Sequence, residues 1–150
     1  MAKENNRAHA ERAKDGKQCE VVTTRNGSPL MIGDAMCGAF EGGSNYWLHT
    51  ANLVRSDFPK EKGLVWYGAD HMFDGEFEFE VGFDDPDGEE GEGKGRMVIT
   101  RADVLKGLEL MARHDPEEFN NLADVESSKA DASTYDVFMQ FVVLGAVVYG

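Results

Sequence analysis

The sequence predicts an α+β domain: about three helices packed on a small, mainly antiparallel sheet. Three observations carry that prediction. EFEFEVGF (76–83) alternates strictly, with Phe77, Phe79, Val81 and Phe83 on one face and Glu76, Glu78 and Glu80 on the other, the period of a half-buried strand. Ile32, Ala35, Met36, Ala39 and Phe40 recur at i, i+3, i+4, i+7 and i+8, one face of a helix. Residues 135–144 are apolar nearly all round, as in a helix enclosed by core. With 150 residues, 41% hydrophobic and 10% aromatic, the chain suits one domain with a real core and excludes global disorder.

Taken in order, residues 1–17 are polar and read as a flexible tail, leaving 18–150 as the domain. QCEVVTTR (18–25) alternates and is β-branched, so it predicts a strand. NGSP (26–29) is a turn in which Ser28 can cap a helix and Pro29 suits its first position. Gly42 and Gly43 are expected to stop that helix by accepting positive φ. SNYWLHTANLVR (44–55) fits a strand better than a second helix started just after a stop. Residues 56–63 form a charged loop, and LVWYG (64–68) predicts a short apolar strand. After EFEFEVGF come the loop DDPDGEEGEGKG (84–95) and RMVIT (96–100), the return strand of a hairpin. Thr100 with Asp103 makes a capping box for a helix whose stripe is Val104, Leu105, Leu108, Met111 and Ala112. His114-Asp115-Pro116 ends it, and a short helical turn follows at 117–122. A polar linker (127–133) leads into the last helix, capped by Gly145, and AVVYG can add a final strand.

Charge is the strongest functional signal. The net charge is −13, which repels nucleic acid and anionic membranes and favours cations or basic protein surfaces as partners. Eleven acids and one cation, Lys94, fall within 70–95, so most of the charge is local. Two readings stand side by side: a solvated sheet face with its loop, or an anionic surface for a basic partner. The second would use Glu76, Glu78, Glu80, Asp84, Asp85, Asp87, Glu89, Glu90 and Glu92. Outward residues of a strand recur at about 7 Å, close to the phosphate spacing along DNA, though any exposed strand shares it.

EGGSNYW (41–47) also allows two readings. The glycines stop a helix while Tyr46 or Trp47 packs on the core; or Asn45, Tyr46, Trp47 and His49 hold a small ligand such as a nucleotide or metabolite. Other chemistry finds little support. Counted from Asp85, an EF-hand would need glycine where Glu90 stands. His71 beside Asp70 and Asp74 could make a His–carboxylate pair, but HExxH, CxxC, GxSxG and Walker patterns are all missing. Neither a metal nor another cofactor is expected, and the balance leans away from an enzyme. Cys19 and Cys37 read as reduced thiols, Cys37 beside the apolar stripe of its helix. The N-terminus has no apolar signal core, and the apolar run 137–149 is too short to span a bilayer.

The order of DAMCGAFEGGSNYW (34–47), FEFEV (77–81), VITRADVLKGLELMA (98–112) and DVFMQFVVLGAVVYG (136–150) resembles a family of small bacteriophage- and prophage-encoded proteins, most without assigned function. The pairing of GGxNYW with a VVxGxVVYG ending carries the resemblance, which covers about two thirds of the chain. It implies a mobile-element origin and a bacterial cytoplasm, and carries no catalytic residues. Three functions follow in order of support: an acidic protein docking on a basic host protein, as an inhibitor or DNA mimic; a small-molecule binder; an enzyme of unknown type. The edges of a small sheet are compatible with a homodimer.

Overall fold

A computed structural model describes residues 29–87, 93–124 and 128–150. The tail, the strand expected at 18–25, the Ser28 cap, Cys19, and Glu89, Glu90 and Glu92 lie outside the described residues. Within them the chain is α+β, with four α-helices and a three-stranded antiparallel sheet, one helix more than the sequence suggested.

Helix α1 spans Pro29–Gly38, from the first described residue. Ile32, Ala35, Met36 and Ala39 are fully buried, and Phe40 packs beside them. Its end differs from the expectation. Neither Gly42 nor Gly43 takes a positive φ. The helix instead widens into a π turn (Ala39–Gly43), closed by the Ser44 N–H donating to the Ala39 carbonyl at 2.9 Å. Gly43 serves close approach: a Cβ there would lie 2.6 Å from the Ala132 carbonyl oxygen, whereas one at Gly42 would meet nothing.

Strand β1 (Leu48–Ser56) follows, then β2 (Phe77–Asp84) and β3 (Lys94–Thr100), in spatial order β1-β2-β3. β2 is central and behaves as its alternation demands. Phe77, Phe79, Val81 and Phe83 are buried and join the helices in one core. Between β1 and β2 the expected strand at 64–68 is a 3-10 turn (Trp66–Gly68). Its hydrogen bond is local, from the Gly68 N–H to the Val65 carbonyl at 2.9 Å. The Trp66 indole N–H reaches the Ala51 carbonyl of edge strand β1 at 3.0 Å. A side chain thus meets the sheet where a backbone ladder was expected.

Thr100 and Asp103 form both halves of the capping box on α2 (Arg101–His114). Asp115 caps α3 (Pro116–Ala123), with the proline at its start. Asp131 caps α4 (Ala132–Val143). Phe138, Met139 and Gln140 of α4 have no exposed surface, which makes it the central helix of the core. Gly145 ends it at φ 77°, its N–H on the Gln140 carbonyl. The last residues do not form the expected strand; they lie as a strap, described below.

Candidate functional site

Two polar regions stand out, one buried and one exposed. The buried one is built around Asp136 on α4. Its Oδ1 accepts from the Ser44 hydroxyl at 2.8 Å and from the Trp47 indole N–H at 2.7 Å. Its Oδ2 accepts from the Tyr46 hydroxyl at 2.7 Å and the Gln140 amide at 3.0 Å. A buried carboxylate is costly unless its lone pairs are satisfied, and four donors meet that need. Three of the four come from SNYW. The turn after the π segment is therefore tied to the last helix by side chains ninety residues away.

Gln140 extends this network. Its Oε1 accepts the backbone N–H groups of Val148 and Tyr149 at 2.7 and 2.8 Å, and its amide also reaches the Tyr149 carbonyl at 3.1 Å. Tyr149 stacks on Trp47 with centroids 5.8 Å apart, and its hydroxyl donates to the Asp84 carbonyl at 2.8 Å. One side-chain amide thus does for residues 148 and 149 what a neighbouring strand would do. GGSNYW is held by Asp136 and VVYG by Gln140, and the Gln140–Asp136 hydrogen bond joins these two segments, far apart in sequence, on one face of α4.

This arrangement does not bring Asn45, Tyr46, Trp47 and His49 around one pocket. Trp47 is 1% exposed, with its N–H committed to Asp136 and its ring against Tyr149 and Phe83. Asn45 is exposed, and His49 belongs to the outer sheet face. Burial, then the hydrogen bond to Asp136, pushes the Tyr46 hydroxyl up to about 12. Asp136 was readable as a signal: an acid inside an otherwise apolar helix, one turn before Gln140 on the same face, asks for buried donors.

The exposed region is the outer sheet face, where Thr50, Asn52, Val54, Arg96 and Val98 are all exposed, so no described element covers it. Glu78 and Glu80 point outward from β2 as predicted, and Asp84, expected in the following loop, closes the strand on the same face. Each meets a cation from a flanking strand. Glu78 takes Arg55 at 2.6 Å, Glu80 takes Arg96 at 2.9 Å, and Asp84 Oδ1 takes His49 at 2.9 Å and Lys94 at 3.3 Å. The His49 contact, then Lys94, holds the Asp84 carboxyl below its usual range. Glu76, Asp85 and Asp87 make no ion pair among the described residues; Asp85 accepts the Asp87 N–H in a turn. Counting charges along the sequence missed Arg55 and Arg96, because cross-strand neighbours are distant in the chain.

The remaining candidates are quieter. His71 sits 3.9 Å from Glu61 and edge-on to Phe58. Cys37 is a half-buried free thiol; burial first, then Glu41 and Asp34, raises its pKa and so disfavours the thiolate. A concavity of about 230 Å³ near Met31, Leu122 and Tyr135 contains the carboxylates Asp34 and Asp124, both of which already have partners. Among the described residues no group of three or more His, Cys, Asp or Glu side chains assembles for a metal, and no helix is long and apolar enough to cross a membrane. No family model, curated protein or solved structure matches the chain.

Proposed function

We propose that the chain is a non-enzymatic acidic binding protein of phage or mobile-element origin. It docks on a basic site of a host protein in a bacterial cytoplasm, as an inhibitor or a mimic of DNA. The observation that carries this reading is the outward row of β2. Glu78, Glu80 and Asp84 stand on a sheet face that no described element covers, with Glu76 at one end and Asp85 and Asp87 at the other. The ion pairs along the row do not oppose docking. Exposed pairs of this kind contribute about 0–1 kcal/mol, so a partner's arginines can replace Arg55 and Arg96 at little cost. The unpaired acids at the ends add long-range attraction that speeds encounter. The mobile-element origin rests on the paired GGxNYW and VVYG motifs.

The test is binding by the full chain to host proteins at low and high ionic strength. Retention that falls steeply with salt supports the reading; retention indifferent to salt contradicts it.

A further inference from the structure

The outer sheet face holds a concavity of about 520 Å³, lined by His49, Thr50, Gly82, Phe83, Lys94, Gly95 and Arg96. Two departures from a regular sheet shape it. First, β1 is irregular between Leu48 and Thr50: Leu48 pairs with Phe83 and Thr50 with Gly82. In an unbroken strand Leu48 and Thr50 would share a face. The extra residue lets Leu48 stay buried while His49 and Thr50 both turn outward. Second, Gly82 interrupts the acid row between Glu80 and Asp84. A Cβ there would lie 2.6 Å from Thr50 Oγ1, so the floor is bare backbone.

The polar lining is made of donors. Lys94 and Arg96 rise from β3, His49 and Thr50 from β1. Glu80 and Asp84 do not line the space; each grips donors at its edge, Arg96 at 2.9 Å, His49 at 2.9 Å and Lys94 at 3.3 Å. One contact leaves a lysine two further N–H groups and an arginine four. The Arg96 and Lys94 side chains are 78% and 68% exposed, so their spare donors are accessible. On a chain of net charge −13, two cations balanced by Glu80 and Asp84 stand at a hollow of metabolite size.

We propose that this concavity binds a small molecule through an oxyanion group, phosphoryl or carboxylate. Arg96 and Lys94 meet the charge, the Thr50 hydroxyl adds a donor, His49 forms part of the wall, and Gly82 lets the group approach the backbone. The site is distinct from GGSNYW: of the four residues considered there, only His49 lines it. It also needs no protein partner, so it stands or falls apart from the docking reading.

The experiment is an amide-resolved NMR titration of the full chain at fixed ionic strength, with inorganic phosphate, citrate and adenosine monophosphate as probes. Saturable shifts concentrated at His49, Thr50, Gly82, Gly95 and Arg96 are expected with at least one probe. Arg96→Gln and Lys94→Gln, both exposed substitutions, should each weaken binding about tenfold, the loss of one charge-assisted hydrogen bond. Tighter binding of the nucleotide than of phosphate assigns the oxyanion to a larger molecule; equal binding assigns a free ion. No saturable shift with any probe, or unchanged binding in both variants, overturns the proposal.

Discussion

Replacing Asp136 by alanine should be among the most damaging single changes in this protein. The substitution removes the acceptor of four side-chain donors. Tyr46 is half exposed and can turn to water, and Gln140 keeps the Tyr149 carbonyl. The Ser44 hydroxyl and Trp47 indole N–H cannot: both are buried. A buried donor left unpaired costs about 1–3 kcal/mol. Two such groups, coupled through one site, put the loss at roughly 3–5 kcal/mol. That is a large share of the about 5–15 kcal/mol that holds a typical domain folded. At about 2–4 °C per kcal/mol for this size, the midpoint should fall by on the order of 10 °C. Asp136→Asn retains an acceptor for Ser44 and Trp47 but turns an NH₂ toward the Tyr46 and Gln140 donors, so its loss should be smaller, about 1–2 kcal/mol. Urea unfolding followed by tryptophan fluorescence measures both. A loss below about 1 kcal/mol for Asp136→Ala, with Trp47 still emitting as a buried indole, would refute the reasoning.

The two glycines after α1 should behave oppositely. Gly43→Ala places a Cβ against the Ala132 carbonyl and should cost about 1–3 kcal/mol, whereas Gly42→Ala, facing open space, should stay within about 0.5 kcal/mol of the parent in the same unfolding assay. Tyr46 and Tyr67 should ionise near 12, raised chiefly by burial and then by Asp136 and Glu41. A raised tyrosine pKa favours the folded state while the hydroxyl keeps its proton. That contribution is whole below pH 10 and is lost as pH rises toward 12, which tyrosinate absorbance against pH reads directly. Tyr149→Ala removes the ring from Trp47 and the bond to the Asp84 carbonyl. It should speed amide exchange at Val148 and in the Trp47 region while leaving α2 protected.

The parts legible in the sequence are those encoded by local periodicity and local hydrogen bonds. The β2 alternation, the α1 stripe and the Thr100–Asp103 box each need only a few neighbouring residues, and each appears as read. The misread parts depend on distant partners. LVWYG has strand composition, but the Trp66 indole engages Ala51 and the backbone turns. AVVYG has strand composition too, yet the Gln140 side chain holds it. Gly42 and Gly43 resembled a positive-φ stop, while the reason for Gly43 lies in the carbonyl of Ala132 on α4. At the candidate sites the acids were visible but their cations were not, since Arg55 and Arg96 arrive only when strands pair.

The central claim is that the acid face engages a basic host protein. Its most direct test is capture of host proteins on the immobilised full chain across a salt series, comparing the parent with Glu76→Gln/Glu78→Gln/Asp85→Asn/Asp87→Asn. The claim predicts a partner held at low salt, released as salt rises, and missing from the amide variant even though that variant folds normally. Equal capture by parent and variant, or capture unchanged by salt, would contradict it.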